Sequence, residues 1–136
     1  ILFVHAIECL EELGIVTSPE VRQQLCSLWP GALTAVLPAP RHAMLAAFAF
    51  ATIGVRIPAH TALLQLLAIL SCKLLTTSAN RSGDPSDVNP DTIAGEFADE
   101  VDWFIDGGIL PTGMASTVAD FSVVPPRILR QGKIKL

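Results

Sequence analysis

The segment Thr76-Thr77-Ser78-Ala79-Asn80-Arg81-Ser82-Gly83-Asp84-Pro85-Ser86 concentrates hydroxyls, an amide, a guanidinium and a glycine turn directly after Lys73-Leu74-Leu75. The latter reads as a buried strand. A strand that ends in short hydrogen-bonding side chains is placed to hold a polar, anionic ligand at a sheet edge. Hydroxyl and amide groups beside Gly83 also leave backbone N–H groups free to face phosphate oxygens. The same composition is ordinary turn chemistry, so the loop alone does not choose between ligand site and turn.

Guanidiniums elsewhere extend the candidate set. Arg56 closes a short apolar run before Pro58, where it can form a bidentate pair with a carboxylate. Arg130 offers a positively charged, fixed fork of donors. Both are also the kind of residue that ends a strand in solvent. His5 and His60 are acid/base candidates by residue type, but they read as a strand residue and a helix-start residue and are left out of the site. Asp84, Asp87, Asp91, Asp106 and Asp120 have no spacing that defines a metal cage. Cys9, Cys26 and Cys72 show no CxxC pair and read as buried reduced thiols. Trp29 and Trp103 are expected in the core, with no basic–aromatic interleaving for base stacking.

The elements that must position these groups follow from pattern. Ile1–Ala6 reads as a central strand and Ile7–Leu13 as a helix stopped by Gly14. Ser18-Pro19-Glu20 is a helix start, and that helix runs to about Leu28 before Pro30-Gly31. Strands are expected at Leu33–Leu37, Ile53–Ile57, Lys73–Thr77, Trp103–Asp106, Thr117–Phe121 and Arg127–Leu129. His60–Leu70 should be a buried helix and Asp91–Phe97 a further helix. Ala43–Ala51 fits helix or strand. Helices alternate with strands early and strands cluster late. The expected fold is therefore α/β (α+β mixed), a twisted, mostly mixed sheet with helices on its faces, in a single domain over 1–136.

Composition sets the outer bounds. The chain has 136 residues, 51% of them hydrophobic and 16% charged, so a filled core is expected and disorder is not. A formal net charge of −4 argues against a basic nucleic-acid-coating face. It leaves room for a local basic pocket built from Arg56, Arg81, Arg127 and Arg130. The apolar run Ala43–Ile53 is too short to span a bilayer, and Ile1–Ala6 lacks a basic leader. The expectation is a cytoplasmic protein without membrane contact.

Taken in order, Leu28-Trp29-Pro30-Gly31-Ala32-Leu33-Thr34, Thr52-Ile53-Gly54-Val55-Arg56-Ile57-Pro58-Ala59-His60, the Thr76–Ser86 loop, Asp106-Gly107-Gly108, Ser116-Thr117-Val118-Ala119-Asp120 and Arg127-Ile128-Leu129-Arg130-Gln131-Gly132 resemble the YrdC-like family of threonylcarbamoyl-AMP synthases. The resemblance runs from Ile1 to the C-terminus, and its specificity lies in the combination of segments. It implies formation of L-threonylcarbamoyl-adenylate from L-threonine, bicarbonate and ATP with release of pyrophosphate. It implies further that a tRNA-modifying threonylcarbamoyl transferase machinery uses the product. By the family's motifs, Thr52, Ser78, Ser86 and Arg130 match ATP contacts, and Arg56, Thr76 and Ser116 match threonine contacts. Asn80 completes the Ser-x-Asn motif and is expected to orient the loop or touch the nucleotide. Magnesium is expected to arrive with the ATP phosphates rather than in a protein cage. Catalysis of this kind rests on positioning and charge stabilisation.

The sequence departs from the family's pattern at its start. The family's opening P-T-x-T-x-Y-G-L segment and K-x-R motif have no counterpart, and no Lys or Arg precedes Arg22. The expectation is an N-terminally truncated domain, the C-terminal two-thirds of the usual one, lacking the first strands and helix and impaired in activity. Ala115 stands where the family has a glutamate before Ser-Thr-Val. Competing readings are the carbamoyl-adenylate-forming domain of a hydrogenase maturation protein and a non-catalytic remnant that binds nucleotide or RNA directly.

Overall fold

A computed structural model describes residues 1–39, 51–70, 74–109 and 115–136. These divide into two compact units, Ile1–Thr76 with Met114–Leu136, and Thr77–Gly113.

The first unit is built on a mixed six-stranded sheet with the order β4-β1-β3-β2-β5-β6. Its strands are β1 (Leu2–Phe3), β2 (Leu33–Pro38), β3 (Thr52–Arg56), β4 (Leu74–Leu75), β5 (Thr117–Asp120) and β6 (Arg127–Arg130). β1 runs parallel to β3, and β2 parallel to β5, while the β1–β4, β2–β3 and β5–β6 pairs are antiparallel. The interior strand β2 alternates little: Leu33, Thr34, Ala35 and Leu37 are all buried, as expected for a strand covered on both faces. The helices α1 (Cys9–Glu12), α2 (Pro19–Leu28) and α3 (Thr61–Leu70) belong to this unit. Ser18 caps α2 by accepting from the Val21 N–H at 3.3 Å, and Pro19 occupies the first turn. His60 starts α3 in the same way, its Nδ1 accepting from the Leu63 N–H at 3.2 Å. Leu2, Val4, Leu10, Leu25, Leu33, Val55 and Phe121 share one core cluster, which ties α1 and α2 to the sheet.

The second unit holds α4 (Pro90–Phe97), capped by Asn89, whose Oδ1 accepts from the Asp91 N–H at 3.0 Å. Among the described residues no helix is long and apolar enough to cross a membrane.

The sheet, α2 and α4 agree with the sequence reading, and five details differ. β4, read as a buried strand, is a two-residue edge strand with Leu75 58% exposed, because it pairs on one side only, with β1. α3 is largely exposed, with Ile69 at 80%, because a helix apolar on every side still presents only one stripe inward; Leu67 is buried and Leu64 packs on the core. Trp103–Asp106 forms no strand, since an apolar pattern supplies no ladder without a neighbour, and Trp103 is 88% exposed while Trp29 is buried. Cys26 lies at the surface, whereas Cys9 is buried. β1 is shorter than the expected Ile1–Ala6 strand, although the Val4 N–H to Arg56 carbonyl bond of 3.1 Å extends its pairing. Residues 43–50 of the ambiguous alanine-rich stretch, Cys72 and Lys73 lie outside the described residues.

Candidate functional site

The sheet's topology places several polar groups at one edge of the first unit. Arg56 ends β3 one residue past the Ala35–Val55 pair, so it lies level with Thr34 near the start of β2. Parallel pairing of β2 with β5 sets Leu33 opposite Thr117, which brings Ser116 to the same edge. Antiparallel pairing of β5 with β6 sets Arg130 opposite Val118. Four neighbouring strands therefore end together, with Arg56, Thr34, Ser116 and Arg130 at their tips.

Side-chain contacts tighten this cluster. Arg130 donates to the Ser116 carbonyl from Nε and Nη2 at 3.2 and 3.0 Å, and from Nη2 to Ser116 Oγ at 3.1 Å. Thr34 Oγ1 lies 3.4 Å from Ser116 Oγ, with both residues buried. Arg56 donates from Nε to the Gly31 carbonyl at 2.9 Å and stands 5.8 Å over the Phe3 ring. Gly31 in turn donates its N–H to the Ile57 carbonyl at 2.9 Å, so the Trp-Pro-Gly turn holds the end of β3 from both sides. A Cβ at Gly31 would collide with the Leu28 carbonyl, which is why this turn needs glycine. Burial lowers the Arg56 pKa, and repulsion from Arg130 lowers it further. Neither guanidinium has an acidic partner among the described residues. Two cations in mutual repulsion beside a buried hydroxyl form a site that an anion stabilises.

The remaining site candidates of this unit sit apart from those tips. Thr52 is exposed at the opposite end of β3, opposite Pro38, about 13 Å along the strand from Arg56. Thr76 follows the edge strand β4 and is tied to the chain start: its N–H and Oγ1 donate to the Ile1 carbonyl at 2.7 and 3.2 Å. β4 is separated from β3 by β1.

Ser78, Asn80 and Ser86 belong to the second unit, where the loop closes on itself. Asn80 Nδ2 donates to the Arg81 and Asp84 carbonyls at 2.8 and 3.0 Å, and Ser86 Oγ donates to Asn80 Oδ1 at 3.2 Å. Asn80 is thus the hub of the turn, with its amide spent on the backbone. Ser78 is exposed, and its hydroxyl has no hydrogen-bond partner among the described residues. No group of three His, Cys, Asp or Glu side chains suited to a metal occurs among the described residues.

Sequence reasoning missed the roles of Thr34 and Thr117 although it quoted both in their motifs. Thr117 is fully buried. Its Oγ1 donates to the Ile134 carbonyl at 2.6 Å and accepts from the Gly132 and Ile134 N–H groups, each at 3.1 Å. A threonine between Ser116 and Val118 at a strand start carries no local sign of this. The available signal was the pairing of a Ser-Thr-Val strand start with a glycine just beyond the last strand.

The Sua5/YciO/YrdC family model, described as telomere recombination, matches residues 1–132. The chain is 34% identical over 140 residues to the threonylcarbamoyl-AMP synthase of Pyrococcus abyssi, covering 100% of this chain and 40% of that protein. It is 33% identical over 134 residues to a putative threonylcarbamoyl-AMP synthase of Mycobacterium leprae, covering 97% of this chain and 59% of that one. Among solved structures, it superposes on P. abyssi Sua5 complexed with L-threonine with a TM-score of 0.83 and 34% identity, over 96% of this chain and 39% of the other. The chain thus spans between 40 and 59% of the length of these two relatives.

Proposed function

The chain belongs to the Sua5/YciO/YrdC family, and we propose that it carries substrate-binding parts of an L-threonylcarbamoyladenylate synthase. In that reaction the threonine amine and bicarbonate give a carbamate with loss of water. A carbamate oxygen then attacks the α-phosphorus of ATP, the bond to the bridging oxygen breaks, and pyrophosphate leaves. The product supplies the threonylcarbamoyl group that a separate transferase machinery places on tRNA adenosine, in the cytoplasm.

The observation that carries this reading is that Arg130, bonded to Ser116, and Arg56, at the same end of the sheet, have no acidic partner among the described residues. Threonine brings a carboxylate and ATP brings phosphates, so the couple has an anion for each guanidinium. Arg56 takes the threonine carboxylate, with Ser116 offering a hydroxyl to the same substrate; Thr76 is assigned to threonine by the family's motif alone, since its hydroxyl is bonded to the Ile1 carbonyl away from those strand tips. Arg130 takes an ATP phosphate; Thr52, Ser78 and Ser86 are assigned to ATP by the family's motif alone, and Asn80 orients the turn that carries Ser86. Ser116 accepts from Arg130 through both its carbonyl and its hydroxyl, so a shift of one moves the other. That linkage suits a reaction in which the carbamate and the α-phosphorus must meet, where positioning supplies most of the rate. Magnesium enters as the counter-ion of the triphosphate, which asks for few protein ligands. The names of the relatives favour threonine over the substrates of hydrogenase maturation.

Pyrophosphate release by the full-length protein with ATP, bicarbonate and L-threonine tests the reading. Release that requires threonine and bicarbonate together is expected. Release stimulated by carbamoyl phosphate and indifferent to threonine contradicts it.

A further inference from the structure

Arg81, which the proposed reaction does not use, is the most heavily engaged side chain of the second unit. Its Nη1 donates to Glu100 Oε2 at 3.0 Å, and its Nη2 makes a short contact to Glu100 Oε1, a bidentate pair. Its Nε lies 3.3 Å from Glu96 Oε1, and its guanidinium stands 4.7 Å over the Phe97 ring. Glu96 and Phe97 form the last turn of α4, and Glu100 follows within a turn of it. Three anchors of different kinds therefore fix one guanidinium to the end of a helix.

That guanidinium is one residue from the hub of the loop. Asn80 donates to the Arg81 carbonyl and the Asp84 carbonyl, Ser86 donates to Asn80, and the Asp84 N–H returns to the Arg81 carbonyl at 3.0 Å. The backbone of Arg81 thus holds the turn while its side chain holds α4. Isolated exposed ion pairs contribute little, but a bidentate pair within a charge network over an aromatic face is the case that does contribute. The opposite shifts of the two partners agree, with the Arg81 pKa raised and the Glu100 pKa lowered by the same hydrogen bonds.

We propose that Arg81 is a positioning residue: by clamping Asn80's turn to the end of α4 through Glu96, Phe97 and Glu100, it presets the loop that carries Ser78 and Ser86 for ATP. The clamp stands on the geometry of this unit, and its consequence for ATP rests on the proposed reaction.

Hydrogen–deuterium exchange of residues 78–88 in the ligand-free full-length protein, together with steady-state kinetics, tests it. In Arg81→Ala and Glu100→Gln, exchange of this loop should rise about three- to ten-fold and that of the β-sheet should not change. The KM for ATP should rise by a similar factor, with kcat nearly unchanged. Arg81→Lys, which keeps the charge and loses the fork, should fall between. Raising salt from about 0.05 to 0.5 M should speed loop exchange in the wild type and leave Arg81→Ala unmoved. Unchanged loop exchange in both variants overturns the clamp. Faster exchange with an unmoved KM for ATP overturns the positioning role. A wild type that releases no pyrophosphate overturns the proposed reaction instead, and loop exchange then decides the clamp by itself.

Discussion

A guanidinium that lacks an acid partner is informative because burying it without one is costly. Arg56 is half-buried, repelled by Arg130, and held by one backbone carbonyl and one aromatic face. Ser116 differs: its hydroxyl already touches Arg130 and Thr34. Ser116→Ala should raise the KM for threonine about five- to ten-fold, the loss of roughly one hydrogen bond, and should cost about 1–3 kcal/mol of stability because it leaves the buried Thr34 hydroxyl without its partner. Titration of threonine against initial rate checks this. Asp120 gives a prediction of a different kind. The Ser122 hydroxyl and N–H, at 2.5 and 2.9 Å, hold its carboxyl below the usual range, helped by Arg127. A depressed folded pKa means that the stabilisation is present above the unfolded value and is lost as pH falls through the folded one. Melting temperature should therefore drop below about pH 4, and Asp120→Asn should flatten that drop while lowering stability at neutral pH.

At the scale of elements, β5 and the segment after β6 form one joint. Thr117 Oγ1 satisfies two N–H groups and one carbonyl there, and Gly132 lies against the backbone of Ala115–Thr117. Thr117→Val leaves buried amides unpaired and should cost about 2–4 kcal/mol. Gly132→Ala places a Cβ inside the contact distance of backbone atoms that have little freedom to yield, at a cost of about 1–3 kcal/mol or more. Chemical denaturation of both variants checks these values. The strands themselves were legible, since apolar runs bounded by Pro and Gly mark β2, β3, β5 and β6. The α2 start was legible for the same local reason: Ser18, Pro19 and Glu20 act on neighbours. What was not legible is whatever depends on distant chain. Thr34 meets Ser116 across 82 residues because β2 and β5 happen to pair in parallel. The exposure of α3 and of Trp103 likewise reflects which neighbours arrive, which composition does not encode.

For the molecule as a whole, a net charge of −4 coexists with a sheet edge that holds two guanidiniums without acidic partners among the described residues. Such a local reversal of sign marks a place for small anions rather than for a polyanion lying along the surface. The family motifs in the sequence single out Arg56, Ser116 and Arg130, and the sheet brings these three to the same end, while Thr52 and Thr76 lie elsewhere on it. The account stands on Arg56 as the receptor of a carboxylate. Calorimetric titration of L-threonine into the full-length protein, wild type against Arg56→Ala, tests that most directly. The account predicts binding weakened about 10- to 100-fold, the loss of a charge-assisted pair, with the melting temperature of the free protein preserved. Equal affinity of the two proteins for threonine would contradict it.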